Sequence, residues 1–254
     1  VNWFSFPRKG RLMKLSAKLS RDVFLCVLAI VIVATNSAKA DFKFGKPVNL
    51  GPPVNSPYVD GASVISADGL TMYFCSNRPG GYGDHDLYET ERATLNDPWG
   101  EPVNLGPAIN TSRSEGFCTI STDGLTLIFS GMPPGSARAG GYGGFDLWVA
   151  ERVSKSSPWG QAVNLGSTVN SGYDDMGPSL SADGLSLYFA SGRSGGSGWI
   201  DLWVTKRADV SSPWGAPLNL GPQVNSSSVD GFSTISPDGL LLFFASMRSG
   251  GMGN

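Results

Sequence analysis

Six-residue apolar runs recur along the chain at Leu70–Cys75, Leu125–Ser130, Leu185–Ala190 and Leu240–Ala245. Near-continuous apolarity over so short a length predicts a strand covered on both faces, and no stretch beyond residue 40 carries a helical period. Asp-Gly-Leu opens each run, starting at 68, 123, 183 and 238, and Asp-Gly suits the positive φ of a tight hairpin turn. The turn joins the run to a shorter strand before it, such as Ala62–Ser66 or Phe117–Ser121. Beyond the first run a glycine-rich loop, Arg78 to Gly83, leads to a third predicted strand at Asp86–Arg92 and a fourth at Trp99–Leu105.

The pattern is a repeat. Asn-Leu-Gly stands at 49–51, 104–106, 164–166 and 219–221, Pro-Trp-Gly starts at 98, 158 and 213, and Asp-Leu-(Tyr/Trp) at 86, 146 and 201. Each series steps by 55 or 60 residues, the longer step being one insertion near Met132–Ala137. Four-strand units of this length bury their faces only against neighbouring copies, which predicts an all-β fold, a β-propeller of four-stranded antiparallel blades. About four repeats are present, near 60–105, 115–165, 175–220 and 230–254. Phe44–Leu50 matches a lone outer strand, expected to pair into the last blade, and the whole reads as an incomplete ring, part of one with five to seven blades.

The string from Ser236 through Asp238, Gly239, Leu240 and Phe243 to Arg248 resembles the WD40-like repeats of TolB-type propellers, and the likeness runs over residues 44–254. The resemblance implies an exported bacterial propeller. It is specific for the repeat and says little about function, since propellers host many functions. The α/β domain that precedes the propeller in that family is not expected between the leader and the first repeat.

Residues 1–40 read differently. A basic stretch from Arg8 to Arg21, an apolar run from Val23 to Thr35 and the ending Ala38-Lys39-Ala40 fit a signal peptide cut after Ala40, with Met13 as an alternative start. The apolar run is shorter than the roughly 20 residues of a spanning helix, so no membrane span is expected after cleavage. The leader masks the charge of the rest. The whole chain has 19 basic and 21 acidic residues, of which the leader carries seven and one, leaving 12 against 20, a net of −8. That excludes a nucleic-acid footprint and predicts a periplasmic or secreted protein. Cys75 and Cys118 remain and are free to pair or not in such a compartment.

Candidate chemistry is sorted by recurrence. Asp86, Asp146 and Asp201 follow loops carrying Arg78, Arg138 and Arg193, which predicts an Asp–Arg clamp within each loop. Trp99, Trp159 and Trp214 are expected at blade-to-blade contacts, and Asn55, Asn110, Asn170 and Asn225 in turns between blades. Asp60, Glu115, Asp175 and Asp230 each begin an innermost strand and are the candidate ligand-binding residues. They are expected to form part of a ring at one channel mouth, binding a cation such as Ca2+ or basic groups of a ligand, or else to cap nearby amides. His85, the single histidine, lies between Asp84 and Asp86 with no counterpart in the other repeats and is the remaining candidate.

One histidine and two cysteines make no ordinary zinc site, and Gly192 to Gly196, which fits G-x-S-x-G, is a repeat loop without the strand-to-helix context of a nucleophile elbow. No catalytic residue, metal site or cofactor is therefore assigned. Tyr173, Asp174 and Trp199 depart from the repeat, and exposed aromatics beside acids on loops suit sugar or peptide recognition. The expected function is an exported, non-enzymatic binding module whose partner is a protein or glycan of the cell envelope or beyond. The alternatives are a carbohydrate-active hydrolase or lyase using channel-mouth carboxylates, and the propeller of a larger enzyme such as a peptidase.

Overall fold

The computed structural model describes residues 45–132 and 140–250. The predicted leader, Arg138 and most of the insertion lie outside the described residues. The first sheet is β1 (Asp60–Ile65), β2 (Thr71–Ser76), β3 (Asp86–Glu91) and β4 (Val103–Asn104). The second is β5 (Glu115–Ile120), β6 (Thr126–Gly131), β7 (Asp146–Glu151) and β8 (Val163–Asn164). The third is β9 (Asp175–Leu180), β10 (Ser186–Ser191), β11 (Asp201–Lys206) and β12 (Leu218–Asn219), and a pair follows, β13 (Asp230–Ile235) and β14 (Leu242–Ser246). Strands pair in chain order and antiparallel throughout. No helix occurs among the described residues.

Each Asp-Gly turn is built alike. Asp68 Oδ1 accepts the Ser66 hydroxyl at 2.6 Å and the Leu70 amide at 3.0 Å, and Gly69 takes φ +74°. Each inner strand then carries a bulge, with Ala62, Phe117, Gly177 and Phe232 all at positive φ. Three of those four are not glycine, an uncommon cost borne at the same place in blades one, two and four. The second strand separates two cores by alternation. Tyr73 of β2 packs with Leu87, Leu127, Phe129 and Trp148 between blades one and two, while Ile128 joins Leu187, Phe189 and Trp203 between blades two and three.

The fourth strand is shorter than its sequence pattern predicts. Pro102 and Pro217 supply no amide to a ladder, and Trp99, Trp159 and Trp214 turn back beneath Arg92, Arg152 and Arg207, whose guanidinium carbons stand 4.3–4.4 Å from the ring centroids. Of these tryptophans, Trp159 also meets Tyr73 of the preceding blade edge-on at 6.3 Å. The described residues from 49 onward form one compact unit. Residues 45–50, the described part of the expected outer strand, carry no strand, and the third strand of the last blade, with which they would pair, is not among the described residues.

Candidate functional site

The inner-strand carboxylates are latches. The Asp60 side chain accepts the amide and hydroxyl of Ser56, both at 2.7 Å, the Ser76 hydroxyl at 2.7 Å and Arg78 Nη2 at 2.8 Å. The same nitrogen of Arg78 donates to the Val54 carbonyl at 2.7 Å, and the guanidinium lies 5.0 and 5.1 Å from the Phe74 and Tyr88 rings. Asp175 repeats the set with Ser171 and Arg193, and Asp230 with Ser226 and Arg248. Glu115, one methylene longer, accepts the amide and hydroxyl of Thr111 at 2.9 and 2.6 Å. Each therefore ties the link before a blade to the hairpin of that blade. Burial pushes the Asp60 carboxyl up, but Arg78, Ser76 and Ser56 outweigh it and hold it at about 2. Asp230 is held at about 2 in the same way, burial being overcome by Ser246, Arg248 and Ser226.

Two expectations change here. The arginines do not clamp Asp86 and Asp201. Those carboxylates accept backbone amides of their own glycine-rich loops, Asp86 from Tyr82 at 2.5 Å and Gly83 at 3.1 Å, Asp201 from Ser197 and Gly198, with a side-chain amide from Asn104 or Asn219. The loop wraps so tightly that a Cβ at Gly81 would lie 2.1 Å from Asp86 Oδ2, and one at Gly196 1.9 Å from Asp201 Oδ2. No arginine can enter. For Asp146, burial raises the pKa against the Tyr142 and Asn164 bonds.

The second change concerns the channel. The inner strands enclose an open cavity of about 600 Å3, and none of the four latch acids lines it. Its wall is formed by side chains such as Val64, Ile120, Leu180 and Ile235, and the Phe117 and Phe232 rings stack at 4.7 Å where blade three has Gly177. The carboxylates are turned into their own blades by the donors there.

His85 belongs to a backbone joint. Its carbonyl accepts the Glu115 amide at 2.8 Å, as those of Phe145 and Ile200 accept Asp175 and Asp230. Asn110, Asn170 and Asn225 complete the joint: Asn110 accepts the Leu87 amide at 2.8 Å and donates to the Leu87 carbonyl at 2.9 Å, and the others treat Leu147 and Leu202 alike. Cys75 and Cys118 are both free thiols, and burial pushes both pKa values up. No three His, Cys, Asp or Glu side chains group as metal ligands among the described residues.

Links and glycine-rich loops meet along one rim, where the Asp84 amide donates to the Arg113 carbonyl at 2.8 Å. Tyr58, Tyr82, Tyr142, Tyr173 and Trp199 are exposed on these segments. Sequence reasoning singled out Tyr173 and Trp199. The three other tyrosines were hidden among repeat positions and are found only once the two loop series are seen to share an end.

No protein-family model and no curated protein matches the chain. Solved structures do. TolB from Acinetobacter baumannii superposes with a TM-score of 0.52 at 15% identity, over 76% of this chain and 39% of that one. A putative TolB from Agrobacterium tumefaciens gives 0.50 at 20% identity, over 75% and 55%. The fold is that of a TolB-type β-propeller. An α-L-arabinofuranosidase from Lactobacillus brevis superposes less well, with a TM-score of 0.42 at 16% identity, over 69% of this chain and 60% of that one. The propeller described here spans about two-fifths and just over half of the two TolB chains, and the likeness extends to architecture alone.

Proposed function

We propose that this propeller is an exported, non-enzymatic binding module that recognises a protein or glycan with its aromatic rim. The observation that carries the reading is the rim itself: five exposed tyrosine and tryptophan side chains on loops held by repeated backbone hydrogen bonds. Rigid aromatic side chains supply contact area at low entropic cost. The acids that hydrolysis would recruit are meanwhile engaged with serines, threonine and arginines of their own blades. Export rests on the leader-like residues 1–40. The test presents the full chain to envelope polysaccharides and to an envelope protein fraction. Binding lost in a variant carrying Tyr58→Ser, Tyr82→Ser, Tyr142→Ser, Tyr173→Ser and Trp199→Ser at unchanged melting temperature, with no release of sugars or peptides, is the expected result. Turnover that disappears in Glu115→Gln or Asp175→Asn would replace the reading with that of a hydrolase or lyase.

A further inference from the structure

The third blade departs from the repeat at three positions that meet in space. At the first residue after the second strand the repeats have Asn77, Met132, Gly192 and Met247. These are true equivalents, since their amides donate to the carbonyls of Val59, Ser114, Asp174 and Val229 in turn. Only blade three has glycine there. A Cβ at Gly192 would lie 3.4 Å from the Trp199 carbonyl oxygen and 3.6 Å from Tyr173 Cβ, so Gly192 forms the floor between these two residues. Trp199 stands where blades one and two have Asp84 and Gly144, and Asp174 where the others have Val59, Ser114 and Val229.

The frame around this notch is fixed. Beside Trp199, Gly198 packs so closely on the next link that a Cβ there would fall 2.0 Å from the Ser228 carbonyl oxygen, and the Ile200 carbonyl accepts the Asp230 amide at 2.9 Å. Beside Tyr173, Asp174 Oδ1 accepts the Phe145 amide at 2.8 Å and its carbonyl accepts the Gly192 amide at 3.1 Å. The side chains on this frame are open: Trp199 is 86% exposed and Tyr173 56%. Tyr173 and Trp199, both with open side chains, thus flank Gly192 and stand beside the half-buried carboxylate of Asp174.

We infer that the Tyr173–Gly192–Trp199 notch is a carbohydrate-binding site, taking a pyranose ring of a neutral polysaccharide, an assignment that rests on the binding-module reading. The electron-rich face of an aromatic ring attracts the weakly positive C–H face of a sugar, as it attracts the positive edge of another ring. The sugar's hydroxyls lie at its rim, where the Asp174 carboxylate accepts them. The surrounding loop, Ser194 to Gly198, is serine and glycine, offering hydroxyls and amides to a polyhydroxylated ligand and no charge to an ionic one. A cation needs an enclosing aromatic cage to offset its lost hydration, and a ring as open as Trp199 gives none. A protein partner would need a broader apolar core than two rings over glycine. Tyr142 continues the line, because Gly143 packs against the Tyr173 backbone, and so offers a place for a neighbouring sugar unit.

Retention of the full chain on insoluble cellulose, chitin, xylan and peptidoglycan sacculi tests the assignment. Binding to at least one of these is expected, weakened about tenfold or more by Trp199→Ala and by Tyr173→Ala, the loss typical of a binding hot spot. Gly192→Met is the sharper probe. It installs the residue that blades two and four already have, at a backbone position that tolerates it, and should abolish binding at an unchanged melting temperature. Equal binding by all three variants overturns the notch as the site while leaving the binding-module reading intact. So does capture of an envelope protein alone through the rim tyrosines. If the wild-type chain binds neither polysaccharide nor protein, the inference and the reading it rests on both fall.

Discussion

An aspartate and an arginine eighteen residues apart decide how blades one, three and four join their links. In blade three the pair is nearly sealed, with Asp175 fully buried and Arg193 13% exposed. Removing one partner of such a pair leaves the other charged and unsatisfied, so Arg193→Ala is expected to destabilise the fold by about 3 kcal/mol, read as a lower urea midpoint. The acid response follows from Asp60 and Asp230. Both are held at about 2, below the ordinary 3.8, so in this range the unfolded chain binds more protons than the folded one. Their stabilisation is complete above about pH 4 and is lost as pH falls toward 2. Urea midpoints measured from pH 5 to 2 should fall across that window, and the fall should shrink in a Ser56→Ala, Ser226→Ala variant. The latch was readable in part. A hairpin centred on Asp68-Gly69 pairs Asp60 with Ser76, which brings Arg78 to Asp60. Distance along the chain favoured Asp86 instead, and only the wrapped loop that fills the Asp86 carboxylate removes that choice.

At the scale of elements, the asparagine joints make the blades depend on one another. Asn170 is almost fully buried and holds both the amide and the carbonyl of Leu147, while its equivalent Asn55 is exposed and donates to Asn49. Asn170→Ala should therefore cost about 2–3 kcal/mol, two buried backbone groups losing partners, and Asn55→Ala well under 1 kcal/mol. Chemical denaturation of the two variants side by side checks the contrast. The second strands and their turns were legible because their signals are local and periodic: six apolar residues after Asp-Gly can do little else. The fourth strands were overextended because the Trp99, Trp159 and Trp214 positions look like strand residues in sequence, whereas in the fold their rings lie beneath arginines three-dimensionally near and seven residues distant.

Across the molecule the repeats differ in how much neighbour each one has. The β6 strand is buried along nearly its whole length between two cores, whereas β14 alternates half-buried and exposed positions. In a linear array, local stability follows such nearest-neighbour contacts. Amides of β13 and β14 should exchange with solvent faster than those of β6 and β10, measured by native-state hydrogen exchange; equal protection would mean that the array unfolds as one body. The apolar channel was not legible at this scale. Inner-strand acids suggested a charged mouth, but the channel face is set by the bulges at Ala62, Phe117, Gly177 and Phe232 and by donors that turn the acids inward.

The two-residue outer strands have a consequence for the crowded compartment in which such a protein works. A long unpaired strand is a template for another chain. In the three four-stranded blades the outer edge is a stub, Val103–Asn104, Val163–Asn164 or Leu218–Asn219, each ended by an asparagine already bound to an aspartate inside its own blade. A foreign strand arriving at one of these edges finds too few backbone partners to grip, so they resist fibrillar growth by brevity rather than by charge.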